Sequence, residues 1–185
     1  MAYLLITRPN HDPATTYLYV WSKEIIAFAK SKGVTVLDLK KEKATRAILE
    51  KYLNNRKASF IFINGHGTED DIRGYRDETI IDKSTKSNHI SGSLIYARSC
   101  NAGNKLGKVL VNNGLKAFIG YKTSFSFHVL FGLTNRPQED RLAALFLSPS
   151  NLIGSTLIKG GTTQDAHDRS IRPDATKSLF APFFN

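Results

Sequence analysis

Two stretches decide how this chain folds: Phe60-Ile61-Phe62-Ile63-Asn64-Gly65-His66-Gly67 and Leu94-Ile95-Tyr96-Ala97-Arg98-Ser99-Cys100-Asn101-Ala102-Gly103. Each is an apolar run of strand length that breaks abruptly into small and polar residues, the pattern of a buried strand entering a loop. Each break carries a residue able to do chemistry, His66 in the first and Cys100, the only cysteine of the chain, in the second. Ligands and catalytic groups of open parallel sheets collect at the carboxyl ends of the strands. The two junctions therefore read as one Cys/His hydrolase site.

Working outward, Tyr3-Leu4-Leu5-Ile6-Thr7 is a first strand, punctuated by Pro9 and Pro13. Asp12 precedes Pro13 at a helix start, and Leu18, Trp21, Ile25, Phe28 and Ala29 recur at helical spacing up to Gly33, a natural terminating residue. Val34-Thr35-Val36-Leu37-Asp38-Leu39 is β-rich, and Ala44, Ala47, Ile48 and Tyr52 mark a second amphipathic helix ending at Asn54-Asn55. Strands alternating with helices imply right-handed crossovers and a parallel sheet with covered faces. After His66, Ile72-Arg73-Gly74-Tyr75 and Thr79-Ile80-Ile81-Asp82 predict a small hairpin around Arg76-Asp77-Glu78.

Beyond Cys100, Leu106, Val109 and Leu110 mark a helix ended by Gly114, and Lys116-Ala117-Phe118-Ile119-Gly120-Tyr121 is a fifth strand. Residues 122–136 are aromatic and irregular and read as a substrate-lining loop. Residues 138–147 and 151–169 read as two helices, with Gly160-Gly161 as a terminating turn. The expectation is an α/β fold over residues 1–185: a single domain with a mostly parallel five-stranded central sheet, helices on both faces and a small hairpin insertion.

The 185 residues contain 41% hydrophobic and 23% charged residues, ordinary for a globular protein. One cysteine excludes an internal disulfide framework and suits a reducing compartment. No stretch approaches the roughly 18 apolar residues of a membrane span, and the N-terminus lacks signal-peptide character, so a cytoplasmic protein without a membrane partner is expected. The net charge of +10 is spread along the chain with no recognition motif, which favours solvated surface charge over nucleic-acid binding.

Thiols attack carbonyls as thiolates. A helix N-terminus is expected directly after Cys100, where its dipole would favour the anion, and His66 would take the proton. His66 and Cys100 are 34 positions apart, the length of one strand-hairpin-strand excursion, which would bring them face to face on adjacent strands. Gly65 and Gly67 would leave room for a bound peptide, and the Gly67 and Cys100 backbone N–H groups would form an oxyanion hole for acyl transfer. A lone cysteine after an apolar run is by itself more often core filler. A loop histidine between two glycines has no packing reason to be there, and the pair together favours function. His11, His89, His128 and His167 show no metal-ligand spacing, and no metal site is expected from them.

An apolar strand ending in His66-Gly67, followed by one ending in Ser99-Cys100, resembles the caspase-haemoglobinase fold of the clan CD cysteine peptidases, the group of caspases, metacaspases, gingipains, separases and CHAT-type proteases. Tyr96-Ala97-Arg98-Ser99 before the cysteine departs from the caspase signature, so the likeness is closer to gingipain-like and CHAT-like bacterial or archaeal members. The resemblance implies a cysteine endopeptidase with His66 as general acid/base and Cys100 as nucleophile, acting on a peptide or protein through an acyl-enzyme. It implies a charge that selects the side chain before the cleaved bond. Asp12 in the first loop would suit a basic residue, the weakly preferred reading, whereas Arg8 or Arg98 would suit an acidic one. Tyr121, where the fifth strand gives way to the aromatic loop, joins Asp12 and Arg98 as a substrate-binding candidate. Some relatives bind calcium, for which Glu69-Asp70-Asp71 is the candidate, although a solvated loop is the stronger reading; otherwise no cofactor is expected. Small members of the group pair through a sheet edge or helices, which leaves a homodimer open. The alternative is a catalytically silent caspase-like module that binds a protein or nucleic-acid partner through its basic surface, and the presence of both His66 and Cys100 favours the enzyme.

Overall fold

Strand β1 (Tyr3–Arg8) opens a computed structural model that describes residues 3–172. Helix α1 (Pro13–Ser31) follows, capped by Asp12, whose side chain accepts the Thr15 amide while the Thr15 hydroxyl closes the reciprocal half of the capping box. The chain leaves α1 through Gly33 at φ 71°, a left-handed conformation that glycine adopts without steric cost. Strand β2 (Thr35–Lys40) and helix α2 (Arg46–Asn55) come next, then β3 (Phe60–Asn64).

A three-stranded antiparallel sheet interrupts the alternation: β4 (His66–Gly67), β5 (Asp71–Arg73) and β6 (Thr79–Asp82). The expected hairpin is present as β5 and β6, and the His66-Gly67 dipeptide adds a strand to it. The short helix α3 (Ser87–Ile90) returns the chain to β7 (Leu94–Arg98), helix α4 (Leu106–Asn112) and β8 (Ala117–Ile119). Helices α5 (Arg141–Ile158) and α6 (Thr163–Ser170) complete the described chain.

The five long-range strands form one parallel sheet in the order β2-β1-β3-β7-β8. Alternate residues face opposite sides of a strand, and here they feed two cores. Leu5, Ile61, Ile63, Ile95 and Ala97 pack with Leu49 and Leu53 of α2, Leu106 and Leu110 of α4, and Ile72, Ile80 and Ile81 of the antiparallel insertion. Leu4, Ile6, Phe60, Phe62 and Tyr96 pack on the other face with Ile25 and Ala29 of α1, Ile153 of α5 and Ala166 of α6. Both faces are covered, as a parallel sheet requires. No helix among the described residues is long and apolar enough to cross a membrane.

The chain from 141 to 158 departs from expectation. The sequence Ser148-Pro149-Ser150 predicts a break between two helices, yet α5 runs through Pro149. An internal proline costs roughly 3 kcal/mol in a helix. Ala143, Ala144, Leu147, Asn151 and Ile153 are all buried along α5, and the Tyr96 hydroxyl bonds both the Ser150 hydroxyl (2.8 Å) and the Ser150 carbonyl (3.2 Å) beside the proline. Tertiary packing here outweighs local propensity. The actual break is Gly160, at φ 86°, followed by the Thr162/Asp165 capping box of α6.

Candidate active site

The parallel pairing of β3 and β7 ends at Asn64 opposite Arg98, and the Gly65 amide donates to the Arg98 carbonyl at 3.3 Å. His66 and Cys100 therefore leave neighbouring strands at the same level. The two turns touch closely: a Cβ built on Gly67 would lie 3.0 Å from Ser99 Cβ and 3.1 Å from the Cys100 carbonyl oxygen. Gly65, at φ 156°, would place a Cβ 1.9 Å from the Arg73 carbonyl oxygen, so no other residue fits there. The two glycines thus make room for the protein's own backbone, which corrects the expectation that they leave space for a peptide. His66, Ser99 and Cys100 line one cleft with Ala14, Phe125 and Phe127. Its volume is about 30 Å³, room for one or two waters.

The sheet order reverses direction at β1, with β2 on one side and β3 on the other. Such a switch point opens a crevice at the carboxyl ends of the flanking strands, and the loop after β1 delivers Asp12 into it beside His66. Asp12 Oδ2 lies 2.8 Å from His66 Nε2. A carboxylate only accepts, so Nε2 carries the proton and Nδ1 is left with a free lone pair. Burial alone would raise the Asp12 carboxyl, but the Thr15 amide and His66, with a contribution from His11, outweigh it and hold it below the usual 3.8. An ionised Asp12 fixes the orientation of the ring.

Asp12 thus orients His66, and its oxygens are already engaged, Oδ1 by Thr15 and Oδ2 by His66. The substrate-binding role expected of it would share a carboxylate already committed to the helix cap and to His66. Arg98 requires a plainer correction. Its side chain is fully buried, donating to Asn64 Oδ1 (2.7 Å), Asn151 Oδ1 (3.0 Å) and Ser22 Oγ (2.6 Å), with the guanidinium over the Phe62 ring. Burial lowers its pKa, while Tyr96, Tyr121 and Glu24 pull the other way. Arg98 bolts the end of β7 to β3, α1 and α5 just before Cys100, with its guanidinium closed off from solvent. Arg8 is likewise held, by Asp38 (Nε to Oδ1, 2.8 Å) and the Tyr19 carbonyl.

Tyr121 faces a cavity. Its ring lies 4.4 Å from Phe125, its hydroxyl is 3.2 Å from that of Tyr96, and it lines a cavity of about 650 Å³ with Phe125, Phe146, Pro149 and Ile153. Phe125 also walls the His66/Cys100 cleft. The 122–136 loop is irregular, as expected, and Phe125 and Phe127 pack onto Tyr17, Leu18 and Trp21 of α1 and Leu147 of α5.

The helix expected directly behind Cys100 is not there. Asn101 turns left-handed at φ 58°, and the Asn101 and Gly103 amides donate to the Thr123 and Tyr121 carbonyls. The chain runs alongside the end of β8 before coiling, so α4 begins only at Leu106 and its dipole does not serve the thiol. The acidic trio also disperses: Asp70 pairs with Lys105 (2.7 Å), and Asp71 accepts from Thr68, Arg73 and Thr79.

His11 is the residue that sequence reasoning passed over. Its ring packs edge-on between His66 and Tyr75. His11, Asp12 and His66 are the one group of ligand-type side chains among the described residues whose donor atoms lie within 4.8 Å of one another. Linear spacing could not show this, because the set joins residues 54 apart; the signal was topological, since the loops after β1 and β3 open at the same sheet end. Comparison with known families finds no family model that matches the chain, and comparison with curated proteins finds no match.

Proposed function

We propose that the chain is a cysteine endopeptidase of the caspase-haemoglobinase fold, with Cys100 as nucleophile and His66 as general acid/base. The observation that carries the reading is the level placement of Cys100 and an Asp12-oriented His66 in one cleft at the sheet's switch point. A histidine fixed by a carboxylate beside a thiol is the arrangement that activates a sulfur nucleophile.

In this reading His66 Nδ1 takes the Cys100 thiol proton as sulfur attacks the scissile carbonyl carbon. The backbone N–H groups of Gly67 and Cys100 bear on the developing oxyanion. Imidazolium then protonates the departing amine, and the acyl-enzyme remains. Water, deprotonated by His66, attacks the thioester and releases the acid and the free thiol.

With Arg8 and Arg98 buried, the acidic-residue preference that the resemblance allows loses its carriers. The 650 Å³ cavity lined by Tyr121, Phe125 and Phe146 is of ligand-binding size and supports an apolar side chain in the substrate instead. A peptide library varied at the residue before the cleaved bond tests both points. Turnover that disappears in Cys100→Ala and prefers apolar residues supports the proposal; a strong preference for lysine and arginine would return selection to Asp12.

A further inference from the structure

We infer that His11, Asp12 and His66 form a regulatory site for a divalent transition metal of the zinc class, and that occupancy silences the peptidase by capturing its base. The inhibitory half of this inference rests on the proposed function; the binding half does not.

Two imidazole nitrogens converge on one carboxylate oxygen: His66 Nε2 at 2.8 Å and His11 Nε2 at 3.2 Å from Asp12 Oδ2. Neighbouring ligands in a tetrahedral zinc shell are about 3.4 Å apart, given metal–ligand bonds of about 2.0 to 2.1 Å. The spacings about Asp12 are close to those of such a shell, and the remaining edge lies within 4.8 Å. The His11 contact is an approach without a hydrogen bond. Both His11 ring nitrogens are sealed from solvent and make none, which is costly for a buried polar group. A metal at the centre of the three would satisfy Nε2. Asp77 Oδ1, exposed, lies 3.8 Å from His11 Nε2 but is not among the converging ligands, so water would fill the fourth position.

The donor chemistry selects the ion. Two imidazoles and one carboxylate suit zinc, cobalt or nickel, whereas calcium prefers oxygen ligands. Binding replaces the proton on His66 Nε2. A neutral imidazole holding a metal on Nε2 carries its one proton on Nδ1, so it has no lone pair left to accept the thiol proton. The site is also separate from the thiol, since Cys100 is not among the converging ligands.

The test is isothermal titration of chelator-treated protein with zinc chloride, with the visible absorption of added cobalt(II) as a second readout. Wild type, Cys100→Ala, His11→Ala and His11→Gln are compared, each checked for folding by circular dichroism. One metal per chain is expected in wild type and in Cys100→Ala, with affinity reduced by about a hundredfold or more in both His11 variants, beyond the usual effect of removing an outer partner. With each protein's own turnover in chelator as its reference, added zinc should inhibit wild type but not the His11 variants. Unchanged affinity in the His11 variants, loss of binding in Cys100→Ala, or no metal uptake by wild type would overturn the site. Uptake as expected with no effect of zinc on peptide turnover would overturn only the inhibitory role. If no variant turns over peptide, calorimetry and the cobalt spectrum still decide the metal site, so its fate and that of the peptidase reading stay distinguishable.

Discussion

Asp12 Oδ2 and His66 Nε2 meet at 2.8 Å across 54 positions of chain, joining the start of α1 to the end of β3. The same carboxyl group caps the helix through Oδ1, so capping and orientation can be separated by mutation. Asn caps nearly as well as Asp but cannot hold the Nε2–H tautomer as an anion does. In Asp12→Asn, kcat is expected to fall by about 10² to 10⁴, as when a triad carboxylate is neutralised, with little change in thermal midpoint. Asp12→Ala should lose activity and also about 1 kcal/mol of stability. Steady-state kinetics and thermal unfolding of the two variants measure the difference.

Tyr17 and Asp140 set both pH limits of one tertiary contact. The Tyr17 hydroxyl donates to Asp140 Oδ2 at 2.6 Å, and Asp140 also accepts the Leu130, Leu142 and Ala143 amides. Burial opposes ionisation of Asp140, but these donors prevail and lower its pKa from 3.8. A depressed carboxyl contributes stability above its unfolded value and loses it as pH falls through the folded one, so this contribution fades below about pH 3.8. Burial, and then Asp140, raise Tyr17 from 10.0 to about 12. A raised group contributes stability below its unfolded value and loses it as pH rises, here between about 10 and 12. Urea unfolding of Tyr17→Phe across pH should show a lower plateau and no loss specific to that alkaline window.

Arg98 is expected to matter for folding rather than for substrate. Arg98→Met leaves the Asn64, Asn151 and Ser22 oxygens without their donor, and unsatisfied buried groups cost about 1–3 kcal/mol each. A loss on the order of 3 kcal/mol or more in urea unfolding is expected. Selectivity for the residue before the cleaved bond should not change in the folded fraction.

Phe125 and Phe127 narrow the cleft to about 30 Å³, too small for a peptide. On the proposed function, a peptide reaches Cys100 only when the aromatic loop withdraws. Phe127→Ala should label Cys100 faster with a peptidyl acyloxymethyl ketone and lower KM more than it changes kcat. A slower rate would assign Phe127 to substrate contact instead.

The central strands β1, β3 and β7 were legible because they are nearly continuous apolar runs, the signature of buried parallel strands. Gly33 and Gly160 marked real helix ends, also from local sequence. Pro149 misled because a local breaker was overridden by packing along the whole of α5. The loop behind Cys100 misled because Asn101 and Gly103 bond to the backbone at 121–123, a partner that no local pattern reveals. Arg98 read as a candidate substrate contact because the resemblance implies a selecting charge close before the cysteine; its acceptors come from β3, α1 and α5. His66 and Cys100 stood out in one dimension, whereas Asp12's orienting contact and His11's place beside it needed the strand order.

The most direct test of the central claim is mass-spectrometric mapping of the adduct left by a peptidyl acyloxymethyl ketone, followed in time for wild type, His66→Ala and Cys100→Ala. A single adduct on Cys100 is expected in wild type, slower by about a hundredfold or more in His66→Ala, within the range for loss of a general base, and absent in Cys100→Ala. Labelling of Cys100 at the same rate without His66, or no labelling of wild type at all, would contradict the account.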